Sequence, residues 1–291
     1  MKKDNPKSNY FNKLHKDILT IMDEIVRISK AHHIRYYLMA GTCLGAIRHK
    51  GFIPWDDDLD IAMPREDFNR FISLTETHLD DRFYLRWITT EKKYNHLFAK
   101  ICLKGTVFEE CIDPTTKEAG IYVDIFPLDL CKSDYHIVER KNRIISFIFS
   151  IIYSRMQNGD VNIIKSIIRY ILATIFPNKL LHKLIIAIIG KCNIETSSHQ
   201  VFFCTPYPIN RMFFPCNWHG EGRVIQFEDR QYVCPSKAES YLKQIYGERY
   251  MELPPENKRK THYPVRVVFS DGEEMTFEKV DNMVTYRDVI E

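Results

Sequence analysis

Residues 56–60 read Asp-Asp-Asp-Leu-Asp, four carboxylates in five positions, between the apolar flanks Gly51–Trp55 and Ile61–Met63. Carboxylates this close repel, and one is driven to take up a proton unless a cation sits among them. Hard oxygen ligands that leave positions open suit Mg2+ or Mn2+, with substrate phosphates completing the shell. If Leu59–Met63 is a strand, alternate residues share a face. Asp58 and Asp60 then project together, Asp56 joins them if the strand begins early, and Asp57 points the other way. Leu59, Ile61 and Met63 form the opposite, apolar face. A solvated acidic turn is the bland alternative, and the apolar flanks argue against it.

Metal-assisted phosphoryl-type transfer wants a further carboxylate. In Gly120–Leu130, Tyr122, Asp124 and Phe126 take one face of a strand and Ile121, Val123 and Ile125 the other. Asp124 is thus a lone acid on an apolar strand. By itself it reads as a structural carboxylate or a helix cap; coupled to Asp58 and Asp60 it reads as a third ligand or a base. Asp129, after Pro127 and near a loop, is a weaker candidate. Upstream, Gly41-Thr42 ends one strand and starts a helix, where backbone N–H groups can cradle a phosphate. Arg48, His49 and Lys50 add cations. Each signal is weak singly. Their order carries the reading: strand, Gly-Thr, helix, Asp-x-Asp strand, then a distant Asp.

The elements that must position these groups are legible. Leu14, Ile18, Ile21, Ile25 and Ile28 make one apolar stripe, which predicts a helix over residues 10–32. A β-type run, Ile34–Ala40, precedes Gly41, with Thr42 as N-cap of the next helix. Pro64 and the acids that follow mark another helix start. Residues 82–90, 96–110 and 120–130 are rich in aromatic and β-branched residues and read as strands. A strand–turn–strand at 223–235 turns at Glu228-Asp229. A helix follows, capped by Ser236 and ended by Gly247, and a hairpin around Asp271-Gly272 closes the pattern. Helices alternating with strands and then several strands together suggest an α+β fold, a mixed sheet covered by helices on one face.

The chain has 291 residues, 45% of them hydrophobic, and a formal charge of +3. That suffices for one large or two smaller domains. The start carries no apolar signal segment. The eight cysteines form no C-x-x-C pair, so reduced thiols in a cytosolic protein are expected, most of them small buried hydrophobes. Residues 141–191 differ from the rest. They hold eight Lys/Arg against one acid, Asp160, in the most Ile-rich part of the chain. Two readings stay open there: a membrane-surface element, or helices buried on the core with cations snorkelling to water.

Strand, Gly-Thr, helix, Asp-x-Asp and a later Asp resembles the nucleotidyltransferase fold of the polymerase-β type. More closely, "GTCLGAIRHKGFIPWDDDLDIAMPREDFNRF" resembles the signature of the LicD family, phosphocholine and related phospho-alcohol transferases acting on surface glycans, with fukutin-related ribitol-phosphate transferases more distant. "GIYVDIFPLD" and "YLKQIYGERYMELPPENKRKTHY" are similar to that family's later motifs, so the likeness spans roughly residues 20–130 and 220–265, with nothing recognisable at 134–200.

The resemblance implies a CDP-activated alcohol such as CDP-choline, bound through its diphosphate on Mg2+, and attack on the β-phosphorus by a glycan hydroxyl with loss of CMP. It implies Asp58 and Asp60 as metal ligands, Asp124 as ligand or proton acceptor, and Asp56 in support. It places Gly41, Thr42 and Arg48 at phosphate, and Lys258, Arg259 and His262 as a clamp on the donor. A choline group wants an aromatic box, and Trp55, Trp87, Tyr94 and Trp218 are its candidate walls. The acceptor would be a teichoic acid, lipopolysaccharide or capsule, lipid-linked in many cases. A cytoplasmic site, at the inner membrane face if residues 141–191 touch lipid, and no nucleic-acid partner are expected. The expected division is a nucleotidyltransferase-like core with its N-terminal helix at 1–133, a basic helical insertion at 134–199, and a C-terminal α+β part at 200–291 that completes the site. Two rivals remain: a nucleotidyltransferase releasing pyrophosphate, and a silent membrane-docked scaffold.

Overall fold

The structure is a computed structural model. It describes residues 6–91, 94, 96–111, 116–132, 134–154, 163–191, 197–203, 205, 207–259, 261–262 and 264–277. Arg155, Asp160, Cys192 and Cys204 of the sequence reading lie outside them.

The fold is α+β. Helix α1 (Pro6–Ala31) leads to β1 (Tyr37–Leu38), α2 (Ala40–His49), β2 (Asp60–Pro64) and α3 (Arg65–His78). Next come β3 (Phe83–Arg86), β4 (Ala99–Leu103), β5 (Val107–Glu110) and β6 (Tyr122–Cys131). The run expected as one strand at 96–110 is therefore two, broken at Lys104-Gly105, where Gly105 takes φ 77°. Three helices follow, α4 (Tyr135–Tyr153), α5 (Ile163–Ile175) and α6 (Asn178–Gly190). The rest comprises β7 (His199–Val201), β8 (Phe213–Pro215), α7 (Cys216–His219), β9 (Arg223–Phe227), β10 (Arg230–Cys234), α8 (Ala238–Tyr246), β11 (Pro264–Val268) and β12 (Glu274–Thr276).

The central sheet runs β1-β2-β6-β4-β3, with β7 on the far half of β6 and β8 beside β7. Only the β2–β6 pairing in it is parallel. The α1 stripe is its packing ridge: Leu14, Ile18, Ile21, Ile25 and Ile28 are all at most 1% exposed. Burying each such side chain contributes about 1.5–3 kcal/mol. Helices α1 and α3 touch one another and both cross β6. Glu66 and Asp67 occupy the first turn of α3, and Asp67 accepts from Arg35 Nε at 2.7 Å. The apolar residues fall into two clusters. The larger joins α1, the sheet and α8; the smaller is built from α4, α6 and β7.

Two expected caps are not caps. Helix α2 begins at Ala40, so Thr42 lies inside its first turn and its hydroxyl turns to the next strand. Ser236 lies outside α8, and its Oγ accepts from the Gly222 N–H at 3.0 Å. Six described cysteines, Cys43, Cys102, Cys111, Cys131, Cys216 and Cys234, are free thiols.

Candidate active site

Asp56, Asp57 and Asp58 occupy the return loop between α2 and β2, and Asp60 opens β2. That loop can double back because Gly45 lacks a side chain: a Cβ there would meet the Gly51 carbonyl at 2.5 Å. The loop is pinned along its length. Glu228, in the β9–β10 turn, donates its N–H to the Lys50 carbonyl at 2.7 Å and accepts from Phe52 N–H at 3.0 Å. His15 of α1 stacks on Phe52 and donates to the Asp56 carbonyl at 2.8 Å. Thr42 Oγ1 accepts the Asp60 N–H at 2.9 Å, and Met39 N–H reaches the Asp60 carbonyl at 3.0 Å. The start of β2 is thereby tied to the start of α2.

Strand parity does not govern residues 56–59, because β2 begins only at Asp60. Asp57 therefore does not turn away from its neighbours. It is 3% exposed and accepts from the backbone N–H of His262 at 3.0 Å and from its Nδ1 at 2.9 Å. His262 Nε2 stands 3.7 Å from Asp58 Oδ2. Asp57, Asp58 and His262 can each offer one ligand atom within a span of 4.8 Å, the one such trio among the described residues. His262 arrives because β11 pairs antiparallel with β5, with Pro264 opposite Glu110.

Asp60 continues into the sheet. It is in register with Asp124 on β6, which is in register with Lys100 on β4. Cross-strand partners share a face, so these three side chains form one row across three neighbouring strands. Lys100 Nζ lies 2.8 Å from Asp124 Oδ1 and donates to Oδ2 at 3.0 Å. It also sits 3.3 Å from the centre of the Tyr122 ring. Lys100 and Asp124 are both buried. Asp58 and Asp60 are partly buried, with a minor part of each reaching solvent.

The electrostatics point to missing positive charge. Burial and then the neighbouring carboxylates, Asp58 first, hold Asp56 and Asp60 well above the usual carboxylate range. Burial raises Asp57 despite the opposing charge of His262. Burial also raises Asp124; Lys100 opposes this and Asp58 adds to it. Burial disfavours charge on His262, yet Asp57 and Asp58 outweigh it and its pKa stands well above the ordinary value. Five aspartates thus face two cationic partners, the buried Lys100 and the partly exposed His262. A hard divalent cation would remove the penalty that otherwise forces protonation. Asp58, Asp60 and Asp124 supply the oxygen chemistry for one but do not form a trio with ligand atoms within 4.8 Å of one another, and both Asp124 oxygens are held by Lys100.

The other expected site residues divide. Gly41 lies against the acids: a Cβ there would stand 3.2 Å from Asp56 Oδ2. Gly41 and Thr42 are first-turn residues of α2, whose N–H groups lack intrahelical acceptors. Just before them Ala40 holds φ 41°, a region costing an L-residue roughly 1–2 kcal/mol, with its N–H fixed by the Tyr241 hydroxyl at 3.1 Å. Arg48 donates to the carbonyls of Tyr250 and Glu252, both at 3.1 Å, and so straps the C-terminal segment to α2. Arg259 lies 4.3 Å over the Trp55 ring, whereas Lys258 is exposed in a short 3-10 turn.

The four candidate aromatics do not make a box. Trp87 and Tyr94 are core, and Trp218 packs on Phe214. Tyr207 and Tyr246, 3.1 Å apart at their hydroxyls, instead feel the acidic loop. Asp129 is no loop residue: it lies within β6, 1% exposed, and accepts both bonds of a bidentate Arg65 at 2.7 and 2.8 Å. Lys100 escaped sequence reasoning, although a lone cation in the apolar strand "AKICL" was a readable signal. Glu110, which binds the Tyr122 hydroxyl at 2.7 Å, had none.

Residues 33–150 match the family described as LicD/FKTN/FKRP, nucleotidyltransferase domain. The chain is 29% identical over 267 residues to the lipopolysaccharide cholinephosphotransferase LicD of Haemophilus influenzae, covering 84% of this chain and 92% of that protein. Over 43 residues it is 44% identical to the human ribitol 5-phosphate transferase FKRP, 15% of this chain and 9% of that one. An uncharacterized Rickettsia prowazekii protein is 45% identical over 47 residues, 16% of this chain and 18% of its own length.

Proposed function

The chain carries a LicD domain over residues 33–150, and on that premise we propose that it is a transferase of phosphate-containing groups. It moves phosphocholine, or a similar phospho-alcohol, from a CDP-activated donor to a hydroxyl of a cell-surface glycan. The observation that carries this reading is the row Asp60–Asp124–Lys100 on three adjacent strands, with Asp58 at its open end. Its setting is a nucleotidyltransferase-like core.

Asp58 and Asp60 would hold Mg2+ or Mn2+, with Asp124 behind them and Asp56 in support. Bound there, the ion would neutralise the donor diphosphate and the charge that gathers on the transferred group. The first-turn N–H groups of Gly41 and Thr42 offer donors to phosphate oxygen. Asp124, buried and raised in pKa, takes the proton of the attacking hydroxyl, and Lys100 holds its carboxylate in place. The acceptor oxygen bonds to the β-phosphorus while the bridging β-phosphorus–oxygen bond breaks, and that oxygen leaves on CMP. His262, anchored through Asp57, and Arg259 over Trp55 close the donor side.

The test is CMP release from CDP-choline, CDP-ethanolamine, CDP-ribitol and CDP-glycerol with Mg2+ and a lipopolysaccharide or teichoic-acid acceptor. One donor should yield CMP, and Asp60→Asn should abolish it. Pyrophosphate release from a nucleoside triphosphate, with no CMP from any donor, would sink the reading in favour of a nucleotidyltransferase.

A further inference from the structure

Among the described residues, sixteen large apolar side chains are exposed; eleven of them lie on α4, α5 and α6, and Phe176 sits between α5 and α6. On α4 the outward positions include Ile144 and Phe147; on α5 they recur at Ile167, Ile171 and Ile175; on α6, at Leu180 and Leu184. The inner faces of α4 and α6 fill the smaller apolar cluster. Both sides of these helices are therefore apolar, which water does not favour. Monomeric proteins rarely concentrate so many exposed apolar side chains on one unit without a partner for them.

The charges say which partner. Residues 163–191 contain Lys165, Arg169, Lys179, Lys183 and Lys191 and no acid. Lys179 and Lys183 are exposed on α6 beside Leu180 and Leu184. Apolar side chains interleaved with cations alone complement an anionic headgroup layer. No single described helix is long and apolar enough to cross a bilayer. At Pro177 α5 and α6 meet at 98°, and each is 13 residues, about 20 Å, against the roughly 30 Å of a hydrocarbon core. Such helices lie in the interface.

We propose that the α4–α6 unit is a docking surface for an anionic phospholipid bilayer. It rides on the catalytic sheet: β6 carries Asp124 and ends at Cys131, and Asp134 caps α4, accepting from the His136 N–H at 3.0 Å. At ~3.3 Å per residue the strand from Asp124 to Cys131 is only about 23 Å long. Docking therefore holds the acidic site within reach of the membrane surface, whichever alcohol is transferred.

The experiment is co-sedimentation of the full chain with vesicles of phosphatidylcholine and phosphatidylglycerol, or of phosphatidylcholine alone, with light scattering of the lipid-free protein. The wild type should partition to the anionic vesicles roughly tenfold more than to neutral ones and lose that advantage in about 1 M salt, where charges are screened within ~3 Å. Ile171→Asp/Leu184→Asp, altering two exposed positions, should keep its melting temperature and lose partition about tenfold. Lys179→Glu/Lys183→Glu should weaken anionic binding alone. Wild type remaining in the supernatant, or an Asp variant binding as wild type does, overturns the proposal. So does a lipid-free dimer that the Asp variant dissociates, since the face would then belong to a second copy.

Discussion

Replacing Lys100 by Met tests the central row. The substitution keeps most of the stem and removes the ammonium that lies within 3.0 Å of both Asp124 oxygens. Removing one partner of a buried pair costs about 3–5 kcal/mol, because the other charge is stranded. Protonation of Asp124 limits the loss, so about 3 kcal/mol is expected near pH 8. For a chain of this size that is a fall of roughly 6–12 °C in Tm. The sign with pH follows from linkage. In the variant the folded Asp124 binds its proton more tightly than the unfolded chain does. Its deficit is therefore small near the ordinary carboxyl pKa of about 4, grows as pH rises, and is complete above the folded pKa. Lys100→Met/Asp124→Asn removes the stranded charge and should recover most of the loss. Denaturant and thermal unfolding of all three proteins at about pH 5 and pH 8, with chelator so that no cation substitutes, gives the numbers. A Lys100→Met protein melting within about 1 °C of wild type at both pH values would refute a buried, mutually dependent pair.

Three further outcomes are expected. Gly45→Ala sets a methyl 2.5 Å from the Gly51 carbonyl; it should cost about 1–3 kcal/mol and lower CMP release by displacing the aspartate loop, whereas Gly190→Ala, with open space around it, should not. Thr42→Val removes the acceptor of the Asp60 N–H; a loss of about 1–3 kcal/mol by denaturant titration is expected. His219 is packed edge-on among Tyr37, Phe202, Phe214 and Tyr241, and burial pushes its pKa down to about 3. The unfolded chain therefore binds a proton that the fold refuses, and stability present above about pH 6.5 is lost as pH falls, by about 2 kcal/mol at pH 5. His219→Phe should flatten that part of the stability–pH curve, and equal slopes would show that burial there does not matter.

Much of the fold was legible locally. The α1 stripe, the α3 start at Pro64, the β9–β10 and β11–β12 hairpins and the Gly247 helix end all lie where periodicity and turn residues put them. These features depend on neighbours in the chain. Misreadings occur where a local rule met a distant partner. Thr42 looks like a cap until β2 takes its hydroxyl, and Ser236 until Gly222 does. Strand alternation turns Asp57 away from Asp58, but the alternation starts only at Asp60.

By itself the sequence determined the charge problem: four aspartates in five positions, a lone Asp124 and a cation-rich Ile segment. Each follows from residue type and spacing, and neither changes on folding. Only the tertiary structure decided who answers those charges. Lys100 meets Asp124 through β4–β6 register, and His262 meets Asp57 through β5–β11 pairing across 205 residues. Such contacts leave no periodic trace, because register between distant strands is set by the packing of the whole core and not by the segment that carries the charge.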